Sequence, residues 1–581
     1  MKVRRRLLVA LAVLGLSLAT YPGADLVSLA VRLTPPPTAA AVPAGPLPWL
    51  HVGHPAGRTP FISDERGGLV LLHGAIPGGL IDFWSGTDPS IVSPAPFYPI
   101  DPAAYEGRCP ANSATIRVPP LCETDLTEMA ALGFNSMRLP LSWSLLEPAR
   151  GEFSVRYLDR VAQVIGWARA KGIYVILDMH QNAYSRYVGR SSQPPAGGAL
   201  AGLDDYTGAP AWATLTDGLP SETFLGKREV NPAVLAADTN FWYNTAGIQS
   251  EYIRAVAFLA RRFKNDSTVA GYSIFNEPWP GLSLPPDFDD LLLFPFYRRL
   301  IDALVGTHDG LPCPTSVFMP AVCGYPDLGV HDRHHLMFLD PGLLREITDF
   351  PTHLGLPLSS YPNLVLGIHS YTHQFTIDAI LGQAPDQATY PWGGLDQSYS
   401  LAEKEARALG AALFVSEFES GPRYDALLTA GQLREQEKHR LGFAFWTWKE
   451  NCGGSWGMYA PIPGGCAYGR AAKAGDGDPK PPNGCLRAPR EALLARPYPR
   501  LAPDDGFTFA YDHTSGAFSI RGAARHDNTR ALVIYIPAEV TGRVTGGTAQ
   551  TAADGSRTIT LTPRGDYSLA IGAAPLHLFG C

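Results

Sequence analysis

Two glutamates in this chain lie where a pair of carboxylates could act on one bond. Glu277 is in SIFNEPWPG (273–281) and Glu417 is in FVSEFES (414–420), and each follows an apolar run typical of a buried strand. Paired carboxyl groups can cleave a glycosidic bond, because one protonates the leaving oxygen while the other attacks the sugar or activates water. A separation of about 5–5.5 Å would indicate retention of configuration. The sequence does not give that distance.

A repeated local pattern indicates how these glutamates are positioned. Three times, a helical pattern is followed by Ala-x-Gly and then by an apolar run that predicts a strand. Glycine after a helix tolerates the left-handed turn that ends it. Helices alternating with buried strands are typical of βα units around a parallel sheet. The three occurrences are 131–133, 170–172 and 408–410.

Eight apolar runs are candidate barrel strands, and most are continuously apolar, as strands buried on both faces should be. Eight βα units predict an α/β protein with a (β/α)8 barrel of the TIM type. A doubly wound open sheet is the alternative, although no glycine-rich phosphate loop supports it. The eight candidates are Leu69–Gly74, Ser136–Leu139, Ile173–His180, Val269–Glu277, Ser316–Pro320, Leu364–His369, Leu413–Glu417 and Phe443–Thr447.

The pattern changes after about residue 500, where short alternating or β-branched runs such as FTFAY, ALVIYIP and RTITLTP are separated by turn residues. These runs predict a small C-terminal antiparallel β-sandwich. We therefore expect a signal peptide or anchor at 1–30, a Pro- and Ala-rich linker at 31–50, the barrel at 51–498 and the sandwich at 499–581.

The N-terminus indicates export. Lys2 and three arginines precede the apolar run Leu7–Ala19, which is the order of a secretory signal. That run is shorter than the roughly 20 residues that a spanning helix needs. An uncleaved anchor is the alternative, because Leu26–Leu33 is apolar again. We expect the protein to be secreted or held at the cell surface.

Net charge and cysteine spacing further restrict the partners and metal sites expected for this protein. The net charge of −7 provides no basic surface, so nucleic acid is not expected as a partner. None of the eight cysteines has the paired spacing of a zinc site. In an exported protein they favour disulfides, and pairing between sequence neighbours, such as Cys109 with Cys122, is preferred over other connectivities.

Polar and aromatic residues are found where the predicted strands end. In such barrels the active site lies at the carboxyl ends of the strands. Convergence of so many polar groups at one end is difficult to explain by packing alone. The candidates are Arg138, Asp178, His180, Asn276, Glu277, His369, Tyr371, Glu417 and Trp446.

These motifs, taken in order, resemble a known family. GYSIFNEPWPG (271–281) is similar to the acid/base motif of endoglycoceramidases, which are members of glycoside hydrolase family 5. Further similar stretches are GAPAWAT (208–214), NFWYNTAGIQSEYIRAVAFLARRFKND (240–266), FVSEFES (414–420), FWTWKEN (445–451) and RPYPRLA (496–502). The resemblance runs from about residue 60 to the C-terminus. It implies an eight-stranded barrel and a retaining reaction.

The resemblance also implies roles for the residues closest to the chemistry. Glu277 would be the general acid/base, and Glu417 would be the nucleophile. Arg138 and Tyr371 would keep Glu417 ionised, since a cation and hydrogen bonds favour the charged form. Asn276 would hydrogen-bond the 2-hydroxyl of the sugar. The pKa of Glu277 would have to be raised toward neutrality, and an ionised Glu417 is expected to raise it.

The remaining candidates would contact the sugar. His180 and His369 would line the reducing-end side of the reacting ring, and Asp178 would hydrogen-bond its hydroxyls. Trp446 would form the stacking floor, which requires Trp446 rather than Trp448 to face the barrel interior. No metal or organic cofactor is implied, because acid, nucleophile and water complete the reaction.

Two stretches depart from the family pattern. Glu419 follows Phe418 where the family has glycine, so Glu419 is a rival nucleophile. Glu417 is preferred for its position relative to the strand. The stretch after the first barrel strand, GAIPGGLIDFW (74–84), lacks the asparagine and lysine that the family often carries there. The glycan that is accepted therefore stays open.

The sequence leaves three functional hypotheses, and a fourth, a cellulase-like endoglucanase, is disfavoured by NEPWPG and the C-terminal motifs. The leading one is a secreted, monomeric, retaining β-glycosidase that cleaves the linkage between a glycan and ceramide in a glycosphingolipid and contacts the membrane surface. The second is an exo-acting β-glucosidase on glucosylceramide or a steryl glucoside, and the insertion 181–240 could favour either. The third is an inactive barrel that binds glycolipid or glycan. The apolar run LLLFPF (291–296) is expected to be helix core, with a lipid path as the alternative.

Overall fold

The computed structural model describes most of the chain. The described residues are 47–82, 98–110, 119–188, 206–221, 228–282, 288–307, 325–349, 351–352, 360–371, 388–389, 393–450, 456–460 and 486–580. The predicted signal segment lies outside these ranges. Among the described residues, no helix has the length and apolar content needed to cross a membrane.

The strands divide among a closed barrel, two C-terminal sheets and a short hairpin. In chain order they are β1 Leu50–Gly53, β2 Phe61–Asp64, β3 Leu69–Val70, β4 His73–Ala75, β5 Ser136–Leu141, β6 Tyr174–Met179, β7 Val269–Ser273, β8 Leu336–Leu339, β9 Leu364–Ser370, β10 Ala388–Thr389, β11 Gly393–Gly394, β12 Ala412–Phe418, β13 Phe443–Phe445, β14 Tyr498–Ala502, β15 Phe507–Asp512, β16 Ala517–Ala524, β17 Leu532–Ile536, β18 Val544–Thr545, β19 Ala549–Thr551, β20 Arg557–Leu561 and β21 Gly565–Ile571.

The predicted (β/α)8 barrel is confirmed. Its eight parallel strands are β4 to β9, β12 and β13, and β13 closes the ring against β4 through the pair Phe443 and His73. Every described residue of these strands is buried, which explains why they read as continuous apolar runs. Outside the strands the barrel is covered by helices.

Two of the eight predicted strands differ from the structure. The run Leu69–Gly74 is divided, because Leu69–Val70 joins a C-terminal sheet and only His73–Ala75 enters the barrel. The run Ser316–Pro320 lies outside the described residues, and the fifth barrel position is occupied by Leu336–Leu339. That strand has only four residues and follows a charged stretch, so its apolar signal is weak.

The three Ala-x-Gly sites end helices as predicted. Gly133, Gly172 and Gly410 have φ of +91°, +69° and +67°, the left-handed conformation that favours glycine. The α-helices are α1 Glu123–Ala131, α2 Trp143–Leu146, α3 Val155–Ala170, α4 Pro232–Trp242, α5 Ile248–Phe263, α6 Phe294–Val305, α7 Leu343–Thr348, α8 Leu395–Leu409, α9 Ala430–His439 and α10 Ala488–Leu494.

The C-terminal β-sandwich is also confirmed, with one addition. A four-stranded sheet (β15, β16, β21, β18) shares a core with a seven-stranded sheet in the order β1-β2-β3-β14-β17-β20-β19. Strands β1 to β3 come from residues 50–70, which the sequence analysis assigned to the barrel. The sandwich is therefore built from both sides of the barrel sequence, since β3 pairs with β14.

One predicted disulfide falls within the described residues. Cys109 and Cys122 are bonded, with their Cα atoms 5.7 Å apart, and Cys122 immediately precedes α1. The other six cysteines lie outside the described part of the chain.

Candidate active site

The carboxyl ends of the barrel strands bring the predicted polar residues together. Along β9, Val365 and His369 face the barrel interior, while Leu366 and Ile368 pack outward against the helices. The same alternation turns Arg138 of β5 inward between the outward-facing Met137 and Leu139. Each strand therefore aims its polar group at the centre of the ring.

A register shift in β12 gives Glu417 its direction. Ala412 and Phe414 face the interior, so simple alternation would turn residue 417 outward. The ladder to β9 shifts between Val415 and Glu417, and Phe418 then packs in the outer core. A bulge of this kind re-aims the following side chain. Glu417 thereby points into the site.

Glu417 is held by a cation and a phenol. Its Oε2 accepts a hydrogen bond from Arg138 Nη1 at 2.9 Å, and its Oε1 accepts one from the Tyr371 hydroxyl at 2.5 Å. Its side chain is 7% exposed. Both contacts agree with the positions predicted for Arg138 and Tyr371.

Glu277 projects from the loop that follows β7. Its backbone has a φ of +42°, a conformation that non-glycine residues rarely adopt. Gln181 Nε2 donates to the carbonyl oxygens of Asn276 and Glu277 at 2.7 and 3.0 Å. The Glu277 side chain is 14% exposed, and its Oε1 lies 2.9 Å from His369 Nδ1. The loop therefore fixes Glu277 at the open side of the site.

Arg138 joins several of the candidate residues. Besides Glu417, it donates through Nη2 to Asn276 Oδ1 at 2.8 Å and pairs with Asp178 at 2.9 Å and Asp340 at 3.1 Å. The guanidinium is fully buried. Burial acts to lower its pKa, but the surrounding carboxylates raise it well above the usual value, so Arg138 stays charged.

His180 and Trp446 form an aromatic pair at the interior. Their rings are nearly parallel, at 6°, with centroids 5.6 Å apart. Trp448 instead donates its indole N–H to Asp125 of α1, so the prediction that Trp446 faces inward is confirmed. His180 Nε2 is buried and has no hydrogen-bond partner among the described residues, which makes it available to a ligand.

Asp178 lies behind the site. Its carboxylate contacts Arg138 and His180 Nδ1, the latter at 2.8 Å, and the side chain is completely buried. The predicted direct contact of Asp178 with sugar hydroxyls is therefore not supported by its position. Asp178 orients His180 and pairs with Arg138, and these two charges hold the pKa of its carboxyl below the usual range despite burial, which acts to raise it.

Glu419, the rival nucleophile, points elsewhere. It forms a buried ion pair with Arg490 of α10, which also contacts Asp425. Neither Arg138 nor Tyr371 contacts Glu419 in the described hydrogen-bond network. The geometry thus supports Glu417 as the residue beside Glu277.

The pKa directions differ from the expectation. Burial acts to raise the pKa of Glu277, but the hydrogen bond and charge of His369 outweigh it, so this pKa lies below its usual range. Burial raises the pKa of Glu417, with the charge of Glu277 adding to it and those of His369 and Arg138 opposing it. The sequence analysis expected Glu417 to raise the pKa of Glu277. The direct partner of Glu277 is instead the imidazole of His369.

Sequence reasoning missed two acidic residues at the fifth strand. Asp340 directly follows β8 and contacts His369 Nε2 at 3.1 Å. Glu346 of α7 is fully buried and accepts a hydrogen bond from the backbone N–H of His369 at 2.5 Å. The acid after the short run LMFL was the available signal. It was overlooked because strand five was placed at 316–320.

Other groups contribute to packing rather than to the site. Leu292, Leu293, Phe294 and Phe296 are buried, so the run 291–296 is helix core, as expected. Glu277, His369 and Glu417 offer one oxygen or nitrogen each within 4.8 Å of one another. His369 Nδ1 lies 2.9 Å from Glu277, and His369 Nε2 lies 3.1 Å from Asp340.

Comparison with known proteins agrees with this geometry. Residues 118–283 match the family model described as cellulase (glycosyl hydrolase family 5). An endogalactoceramidase crystal structure superposes with a TM-score of 0.63 at 26% identity, covering 90% of this chain and 100% of that one.

Curated relatives match over shorter regions. Endoglycoceramidase I of Rhodococcus hoagii (strain 103S) is 28% identical over 223 residues, or 35% of this chain and 42% of the relative. A glucosylceramidase of Rhizopus delemar is 27% identical over 234 residues, or 36% of this chain and 34% of the relative. The matches thus span about two fifths or less of these proteins' lengths.

The barrel and its paired acids agree with the match of residues 118–283 to the glycoside hydrolase family 5 model. Among known proteins the chain resembles endoglycoceramidases, as the sequence motifs predicted.

Proposed function

We propose that the protein is a retaining β-glycosidase that hydrolyses the linkage between a glycan and the ceramide of glycosphingolipids. The observation that carries the proposal is the distance between Glu277 and Glu417, whose nearest carboxylate oxygens lie within 4.8 Å of each other. Retaining glycosidases hold their carboxyl groups about 5–5.5 Å apart, whereas inverting enzymes need about 6.5–9.5 Å to admit a water molecule. This spacing favours direct attack by a carboxylate.

In the first step, Glu417 attacks the anomeric carbon of the sugar while Glu277 protonates the leaving lipid oxygen. Arg138 and Tyr371 orient Glu417 and stabilise its negative charge before attack. In the second step, Glu277 removes a proton from water, which releases the sugar from Glu417. The unpartnered Nε2 of His180 hydrogen-bonds the reacting sugar, and the Trp446 ring packs beside that sugar.

The rim beside Glu277 supports a lipid substrate. Leu282 and Leu344 are 49% and 43% exposed, and exposed apolar side chains that lie together can mark a lipid contact. Leu282 N donates to Thr239 of α4 at 2.7 Å, and Leu343 N donates to Pro278 O at 2.9 Å. Leu282 therefore lies in the loop after Glu277, and Leu344 lies in the first turn of α7 beside that loop, where both meet the ceramide or the membrane surface.

Two other functions remain as alternatives. The glucosylceramidase relative favours an exo-acting β-glucosidase, which would close the glycan side of the cleft. An inactive glycolipid-binding barrel would lack one of the two acids, whereas both are present and face each other. We further propose export through the N-terminal signal and a monomeric enzyme without a metal or organic cofactor.

The test is product analysis by mass spectrometry. The purified protein is incubated with a ceramide that carries an oligosaccharide and, separately, with glucosylceramide. We expect intact oligosaccharide and ceramide from the first substrate. Glucose from glucosylceramide alone would support the exo-acting alternative. No product from either substrate with folded protein would support the binding barrel.

Two variants make the result specific. Glu277→Gln is expected to lose about 10²- to 10⁴-fold in turnover, the usual contribution of a general acid. The matched control is Glu419→Gln, which removes a buried carboxylate of the same strand end without touching the site. A 2-deoxy-2-fluoro glycoside with a good leaving group should leave a covalent sugar on the peptide that contains Glu417. Absence of that adduct in active enzyme would contradict the retaining route.

A further inference from the structure

An aspartate at the end of the fifth barrel strand is joined to the acid/base residue through a histidine. Asp340 is 1% exposed, and its Oδ2 lies 3.1 Å from His369 Nε2. The other ring nitrogen, His369 Nδ1, lies 2.9 Å from Glu277 Oε1. The Tyr297 hydroxyl donates to the Asp340 carbonyl at 2.5 Å and fixes the backbone there. Asp340, His369 and Glu277 thus form a continuous chain.

The chemistry of imidazole determines what this chain can hold. A neutral imidazole carries one N–H, so it can donate to only one of two carboxylates. Here both nitrogens of a completely buried ring face carboxylate oxygens. When His369 is a cation, its Nδ1 contact with Glu277 is a hydrogen bond and its Nε2 contact with Asp340 is an ion pair, and the two acids favour that charged form. Burial acts to lower the pKa of His369, but the surrounding carboxylates raise it well above its usual value.

Other charged groups surround the same ring. Glu417 Oε2 lies 3.9 Å from His369 Nδ1, and Arg138 pairs with Asp340 at 3.1 Å. Glu346 of α7 accepts from the His369 backbone N–H, and burial raises the pKa of this carboxyl well above its usual range. Asp178 pairs with the same Arg138 nitrogen as Asp340, and it also contacts His180. Among these acids, Asp340 is the one whose carboxylate faces His369 Nε2.

We propose that Asp340 is a positioning residue that keeps the proton of the acid step on His369, next to Glu277. This inference rests on the proposed acid/base role of Glu277. As the glycosidic C–O bond breaks, the His369 Nδ1 proton passes through Glu277 to the leaving oxygen, and Glu417 forms the new bond to the sugar. His369 is then neutral and Glu277 is a carboxylate. In the second step, Glu277 takes a proton from water and returns it to His369, while hydroxide displaces Glu417.

The experiment compares pH profiles of kcat/KM for the wild-type protein and Asp340→Asn. Removal of a negative charge lowers the affinity of the His369–Glu277 pair for its proton. We therefore expect the basic limb of the profile to move to lower pH by about 1 unit or more. A variant that loses activity at every pH without a shift of this limb would overturn the inference. Asp340→Glu, which keeps the charge, should restore the position of the limb.

A second readout uses leaving groups of different acidity. A nitrophenyl glycoside needs little protonation of its leaving oxygen, whereas the lipid alcohol needs it fully. Asp340→Asn should therefore lose about 10²-fold or more on the lipid glycoside and about tenfold or less on the nitrophenyl glycoside. Equal losses on the two substrates would contradict the proton-holding role.

A control variant distinguishes an effect of Asp340 on His369 from its effect on Arg138. Asp178→Asn removes a carboxylate from the same guanidinium nitrogen but leaves His369 untouched, so its basic limb should shift clearly less. If Asp340→Asn does not fold, the test is instead the protonation state of isotope-labelled His369 in the wild-type protein. A neutral His369 ring at pH 7 would overturn the inference. Failure of the proposed function is distinct, because the wild-type protein would then cleave neither substrate.

Discussion

The Tyr371 hydroxyl donates to Glu417 Oε1 at 2.5 Å. This contact joins the carboxyl ends of the neighbouring sixth and seventh barrel strands, β9 and β12. Both groups are buried, and Arg138 occupies the other carboxylate oxygen. The phenol and the guanidinium thus fix Glu417 in one orientation and favour its ionised form. Burial and the charge of Glu277 act in the opposite direction. The pKa of Glu417 therefore depends on the balance among these contacts.

Tyr371→Phe tests this balance. The loss of the phenol hydrogen bond should raise the pKa of Glu417 further, because the ionised form loses a donor. Activity requires ionised Glu417, so the acidic limb of the pH profile of kcat/KM should move to higher pH, by about 1 unit. The basic limb should stay in place. Movement of the basic limb alone would mean that Tyr371 acts on the acid/base residue instead.

Glu419→Gln tests the assignment of the nucleophile. Breaking a buried ion pair costs about 3–5 kcal/mol, because the partner is left without its counter-charge. Arg490 keeps Asp425, so we expect the lower end of that range, measured as a fall in the free energy of unfolding in urea. The turnover of folded protein should change less than about threefold. A loss of about 10³-fold would instead support Glu419 as the nucleophile.

Trp446 is expected to act as a floor for the sugar. Trp446→Ala removes the ring that stacks on His180 and should lower kcat/KM by about 10²-fold, because the sugar is then misplaced. Trp446→Phe keeps an aromatic face and should lose about tenfold or less. The control is Trp448→Phe, which loses the hydrogen bond to Asp125 and should lower stability without changing kcat/KM. A similar loss of kcat/KM for Trp448→Phe would contradict the assigned orientation.

Glu147 predicts a pH dependence of stability. Burial raises its pKa to about 7, although Trp143 Nε1 and Gly151 N both donate to it at 2.8 Å. Between pH 4.5 and 7 the folded protein therefore binds more protons at this site than the unfolded chain. The stability contributed by Glu147 is present at low pH and falls as pH rises through that window, by about 3 kcal/mol.

Glu147→Gln should remove this part of the pH dependence. Urea denaturation at pH 5 and pH 8 should show a smaller fall in the free energy of unfolding for the variant than for the wild-type protein. The difference isolates Glu147 from other buried acids such as Glu539, which both proteins retain. Parallel curves for the two proteins would rule out the elevated pKa.

The local sequence pattern was sufficient to predict most of the barrel strands. The continuous apolar runs of β5, β6, β7, β9 and β12 predict buried strands because both faces of each strand are covered. The Ala-x-Gly sites predict helix ends because a left-handed backbone favours glycine. The fifth strand was missed, since Leu336–Leu339 is short and its hydrogen bonds come from strands distant in sequence.

The sequence by itself determined which residues lie at the mouth of the barrel: Arg138, His180, Asn276, Glu277, His369, Tyr371, Glu417 and Trp446 all follow from strand ends and family motifs. Only the tertiary structure decided how they are connected. The bulge that turns Glu417 inward, the ion pair that takes Glu419 away and the contact of His369 with Asp340 depend on distant partners. Charge and pKa follow from three-dimensional distance and burial, and local sequence spacing specifies neither.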